Sequence, residues 1–135
     1  MTSRPELHDV DPFDLPDWLS AGPVVWESDG GLRASHHVTG TVTGEGGEQL
    51  PCSLLAVDEA YPAPVAGDDV RTRAHQAWHH RQVLLVEEAG TLTLAVPGQR
   101  FDAELVLESL ARLAKAVGAS PDDYAALLTI GSARR

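Results

Sequence analysis

The sequence predicts a single α+β domain: an antiparallel sheet of four or five strands built from two hairpins, with helices packed mainly on one face, in the order α-β-β-α-β-β-α-α. Three observations lead there. Two pairs of β-patterned segments are each joined by a short glycine-containing turn, and two other segments repeat apolar side chains at helical spacing. The chain of 135 residues is long enough for one hydrophobic core and too short for two ordinary domains. Its 43% hydrophobic and 22% charged content is that of a folded protein, not of a disordered acidic segment.

Residues 1–12 carry Pro5, Pro12 and several charges among few apolar side chains, so they are expected to form a tail, followed by one domain over 13–130 and a frayed end at 131–135. Phe13, Leu15, Trp18 and Leu19 surround Pro16, which suits a first helical position, and a short helical turn is expected there. Val24-Val25-Trp26 is a short apolar candidate strand, followed by the turn Ser28-Asp29-Gly30-Gly31. From Arg33 to Thr43, Ala34, His36, Val38, Gly40 and Val42 alternate with His37, Thr39, Thr41 and Thr43, the pattern of a strand. Gly44-Glu45-Gly46-Gly47 turns the chain back into Gln49 to Val57, with Leu50, Cys52, Leu54 and Ala56 on one face. Asp58 to Gly67 holds Pro62, Pro64 and Gly67 and reads as a connection.

A helix capped by Asp68 or Asp69 follows, with Val70, Ala74, Ala77 and Trp78 inward. Val83 to Val86, the turn Glu87 to Gly90 and Thr91 to Val96 make the second hairpin. Asp102 is placed to cap the next helix, with Phe101 and Val106 forming a hydrophobic staple. Ala103, Val106, Leu107, Leu110, Leu113, Ala114 and Val117 form its apolar face, and Gly118 stops it. Ser120-Pro121-Asp122-Asp123 has the order of a helix start, docked by Tyr124, Leu127 and Leu128.

The formal net charge is −10, a surface that phosphate backbones repel, so nucleic acid is not an expected partner. Lys115 is the only lysine, and the arginine, alanine, valine and leucine bias points to a GC-rich bacterial genome. Cys52 is the only cysteine, which rules out an intrachain disulfide and suits a reducing compartment. With no apolar leader and no membrane-length apolar run, a cytoplasmic location without membrane association is expected.

Six histidines are the first candidates for chemistry. His75 and His79 stand at i and i+4 on a predicted helix, a spacing that can hold one metal ion, but on the side away from the core where ordinary surface residues go. Gln76 follows His75 where a zinc-protease pattern has glutamate. His36 and His37 point to opposite faces of one strand and cannot share a site. Cys52 sits among apolar neighbours, the setting of an inert buried thiol. The glycine-rich stretches read as turns, because neither leads from a strand into a helix at phosphate-loop spacing.

Three of the seven aromatic residues are tryptophan, and Trp18 and Trp26 flank Gly22-Pro23, where they either close the core or anchor an interface. Asp58, Glu59 and Tyr61 lie on the proline-containing connection, a candidate binding surface or simply a stiff linker. Size, acidity and mixed element order are loosely similar to those of secretion-chaperone-like dimers, without a motif to carry the likeness. The leading expectation is a non-catalytic regulatory or adaptor domain that needs no cofactor and binds a protein partner or itself, as a homodimer, through a sheet edge or the region of Trp18 and Trp26. The alternative is a small ligand-binding or metal-assisted enzyme domain using histidines and acids near the 58–67 loop.

Overall fold

The first hairpin forms where period-two alternation runs into glycine. Strand β4 (Gly40–Gly44) turns through residues 45–48 into β5 (Gln49–Ala56), with the Gly44 amide donating to the Glu48 carbonyl at 2.9 Å and Gly47 taking a φ of +88°. The computed structural model describes residues 7–29, 36–58 and 66–127. Strand β3 (His37–Val38) precedes β4 and continues the same register against β5, with Val38 opposite Leu54 and Thr41 opposite Pro51. The break between β3 and β4 has a local cause: the indole Nε1 of Trp26 donates to the Cys52 carbonyl at 2.9 Å, and its ring lies against Gly40. A Cβ at Gly40 would stand 2.4 Å from that ring, so only glycine fits beneath it.

The sheet overturns the expectation of four or five antiparallel strands. It is a mixed sheet of eight strands, in the order β1-β6-β7-β5-β4-β2-β8 with β3 added on β5. The remaining strands are β1 (Leu7–Asp9), β2 (Val24–Ser28), β6 (Leu84–Glu88), β7 (Thr91–Val96) and β8 (Tyr124–Leu127). The second hairpin, β6–β7, places β7 parallel to β5, pairing Cys52 with Leu92 and Ala56 with Val96. Parallel neighbours covered on both faces are buried without alternation, as Leu54–Val57 and Leu92–Val96 are, with Thr93 the one polar residue among them. Leu7–Asp9, within the stretch expected as a tail, pairs with β6 as an edge strand.

Only two α-helices occur among the described residues, α1 (Asp68–His79) and α2 (Ala103–Ala116), where four helical segments were expected. The Phe13–Leu19 segment resolves into two 3-10 turns, Pro12–Asp14 and Asp17–Ser20. The Ser120-Pro121-Asp122-Asp123 start is real but lasts one 3-10 turn, with the Ser120 side chain accepting from the Asp122 amide. The chain then runs as β8, parallel to β2, because Tyr124 is drawn into the core and its hydroxyl donates to the Leu19 carbonyl at 2.8 Å. Asp102 caps α2 through the Leu105 amide, whereas the cap of α1 is Gly67, with Asp68 and Asp69 inside the first turn. Leu107, expected on the inner face of α2, is 49% exposed, while Ser109 is buried and donates to the Leu105 carbonyl.

The helices do not share a face. Leu54, Ala56, Leu85, Leu94 and Val96 meet α2 through Val106, Leu110 and Leu113, together with Trp26, Phe101 and Leu19. The alternate side chains Leu55, Val57, Val86 and Ala95 pack with Ala74 and Val70 of α1 on the opposite face. One sheet thus separates two cores, the larger under α2.

Candidate functional site

The constellation with most chemistry lies where β5 and β7 end. The parallel pairing continues past both strands: the Val57 amide donates to the Val96 carbonyl at 2.9 Å, and the Asp58 amide donates to the Gly98 carbonyl at 2.8 Å. The Gly98 amide returns to Asp58 Oδ2 at 2.9 Å, so the carboxylate is held by backbone on one side. Its other side faces α1, where His75 Nε2 lies 2.9 Å from Oδ1 and 3.0 Å from Oδ2. This corner sits at the carboxyl ends of two adjacent parallel strands, the place where open α/β sheets most often hold ligands.

A depression of about 590 Å³ adjoins the pair, lined by Asp58, Asp68, Arg71, Thr72, His75 and Gln76. Arg71 forms an ion pair with Asp68, and its Nε is shielded from solvent without an acceptor among the described residues. The Asp58 carboxylate orients the imidazole through Nε2 and leaves Nδ1 for a ligand or a proton. Asp58 and His75 were both legible as candidates, but neither His36 nor His37 joins them in lining the depression. Gly98 carried no such signal, although it stands two residues past the end of β7 as Asp58 stands two residues past the end of β5.

The other candidates scatter. His79 lies edge-on to His80 with ring centroids 5.4 Å apart, one turn beyond His75. Among the described residues, no three His, Cys, Asp or Glu side chains assemble into a set that could hold a metal ion. Trp26 is 1% exposed and belongs to the core, while Trp18 packs on its margin beside Gly44. His37 lies 3.9 Å from Glu88. Glu59 and Tyr61 lie outside the described residues. Burial pushes the Cys52 thiol up to about 12 and keeps it protonated near neutrality.

A second surface comes from the topology alone. Helix α1 covers the face over β5, β6 and β7, and the same face of β4, β2 and β8 carries no helix among the described residues. Its side chains stand in two cross-strand rows, Ala125–Val25–Thr43–Gln49 and Leu127–Glu27–Thr41–Pro51. Val25 is 42% and Leu127 55% exposed, large apolar groups at the edge of a sheet.

No helix among the described residues is long and apolar enough to cross a membrane. Comparison with known proteins returns no match, whether to family descriptions, curated proteins or solved structures.

Proposed function

We propose that this chain is a non-catalytic regulatory or adaptor domain of a bacterial cytoplasm that acts by binding another protein or a second copy of itself. The observation that carries the reading is the face of β4, β2 and β8 that no helix covers among the described residues. A β surface with Val25, Ala125, Leu127 and Pro51 interleaved with Thr41, Thr43 and Glu27 suits a protein partner better than water alone. A strand at such an edge can accept a further strand, and the apolar side chains beside it supply specificity.

The test compares wild type with Val25→Asp/Leu127→Asp by sedimentation velocity and by quantitative recovery of partners from native lysate. The reading expects a dimer or a stoichiometric partner that the double variant loses while its circular dichroism is retained. A monodisperse monomer with no stoichiometric partner overturns it.

A second reading, binding of a small ligand at the Asp58–His75 corner, is favoured by the shielded Arg71 Nε and by the parallel-strand ends beneath it. Thermal-shift screening of anions against wild type and His75→Ala distinguishes the two. A stabilising anion whose effect His75→Ala abolishes places function at this corner.

A further inference from the structure

At the sheet edge opposite β8, a cleft of about 760 Å³ opens between β1, the turn joining α1 to β6, and the last turns of α2. That volume lies within the roughly 300–1,000 Å³ of small-molecule sites. Its floor is apolar, formed by Val10, Ala77, Val83 and Leu85, of which Val83 and Leu85 are buried. Its lining is cationic in a chain of net charge −10, holding Arg81, Arg112 and Lys115 against the single carboxylate of Asp9.

The pairings sharpen that imbalance. Asp9 is occupied by Arg73, whose Nη1 lies 2.6 and 2.8 Å from the two carboxylate oxygens, and this hydrogen bond raises the Arg73 pKa. Arg112 is committed to Glu108 at 2.7 Å. Arg81 and Lys115 have no ion-pair partner among the described residues.

Lys115 has an ordinary explanation, since a cation in the last turn of α2 offsets the helix dipole. Arg81 does not. Both helices end in the same motif, with the Gln82 amide reaching the Ala77 carbonyl in α1 and the Ala119 amide reaching the Ala114 carbonyl in α2. The left-handed position of α2 is filled by Gly118 at φ +83°, whereas that of α1 is filled by Arg81 at φ +64°. A side chain with a Cβ is disfavoured there, so arginine stands at that position with a backbone cost that glycine would remove. Arg81 is one of the residues that line the cleft.

We propose that this cleft binds a small amphipathic carboxylate, with its apolar body on Val10, Val83 and Leu85 and its charge met by Arg81 and Lys115. Guanidinium recognises carboxylate through paired N–H donors, and the apolar floor contributes burial that a bare anion cannot use.

The test is titration with decanoate, and with 1-decanol as its uncharged counterpart, followed by amide chemical shifts. The expected result is saturable perturbation of Val83, Leu84, Leu85 and Ala116 by decanoate, with decanol at least about tenfold weaker. Arg81→Gly suits the left-handed position, so it should melt at or above the wild-type temperature while losing at least about tenfold in decanoate affinity. Lys115→Gln should weaken binding in the same direction. Absence of saturable shifts in the cleft, equal affinity for decanol, or undiminished binding by Arg81→Gly each overturns the proposal.

Discussion

Arg112 of α2 lies over the indole of Trp78 of α1, its Cζ 3.6 Å from the ring centroid, while its Nη1 donates to the Trp78 carbonyl at 2.7 Å and to the Gln82 carbonyl at 3.1 Å. The two helices belong to opposite faces of the sheet, and this one side chain joins their ends around its margin. A guanidinium can do so because it stacks and donates in its own plane at once.

Arg112→Ala removes the cation from the ring, the side-chain donor to the Gln82 carbonyl and one of two donors to the Trp78 carbonyl, which keeps the Arg81 amide. We expect a loss of about 2–3 kcal/mol in urea unfolding and a change in tryptophan emission. Arg112→Lys should recover less than half of the loss, because an ammonium lacks the planar fork; full recovery would show that charge alone matters.

The β6–β7 turn carries Ala89 at φ +52° followed by Gly90 at φ +83°, with Glu88 paired to Thr91. Two left-handed residues in a two-residue loop favour Asn-Gly. Ala89→Asn should therefore stabilise the fold by about 1 kcal/mol, read as a higher urea midpoint at unchanged slope. A midpoint at or below wild type would contradict this account of the turn.

Burial raises the Cys52 thiol from its ordinary value of 9.0 to about 12. Tyr124 is raised as well, first by burial and then by charge on Cys52. The folded state holds the Cys52 proton more tightly than the unfolded chain, so stability from this group is complete below about pH 9 and is lost toward pH 12, at up to roughly 1.4 kcal/mol per pH unit. Unfolding free energies measured across that range should fall more steeply for wild type than for Cys52→Ala. The thiol should also react with aromatic disulfide reagents at pH 8 only at the rate at which the fold opens.

Asp58 accepts from the Gly98 amide as well as facing His75, so its two deletions are unequal. Asp58→Ala should cost about 1–2 kcal/mol and His75→Ala less, since only the first strands a backbone donor. The double-mutant cycle should return a coupling of about 0.5–1 kcal/mol, because the imidazole is 54% exposed. Zero coupling would mean that the pair is not formed in solution.

Both hairpins, the Asp102 cap, the Gly118 stop and the burial of Cys52 were legible because each depends on residues a few positions apart: alternation, turn chemistry and capping act locally. The candidate pair was half legible. Asp58 and His75 stood out as residue types, but what makes them a site is the Gly98 amide, forty positions along the chain from Asp58.

What the chain by itself determined is an α+β domain with both hairpins, the Val24–Trp26 strand and the two α-helices near their expected positions. Tertiary structure decided the rest. Whether β7 lies beside β5 in parallel depends on which faces α1 and α2 cover, and no periodicity within one strand encodes its neighbour. Tyr124–Leu127 begins like a helix yet becomes a strand, because burying the Tyr124 ring, satisfying its hydroxyl at Leu19 and pairing backbone with β2 outweigh a local helix start that has only one turn to offer. Among the described residues, the same long-range pairing left the α1-side face of β4, β2 and β8 without a helix and gathered at the far edge two cations, Arg81 and Lys115, that have no ion-pair partner.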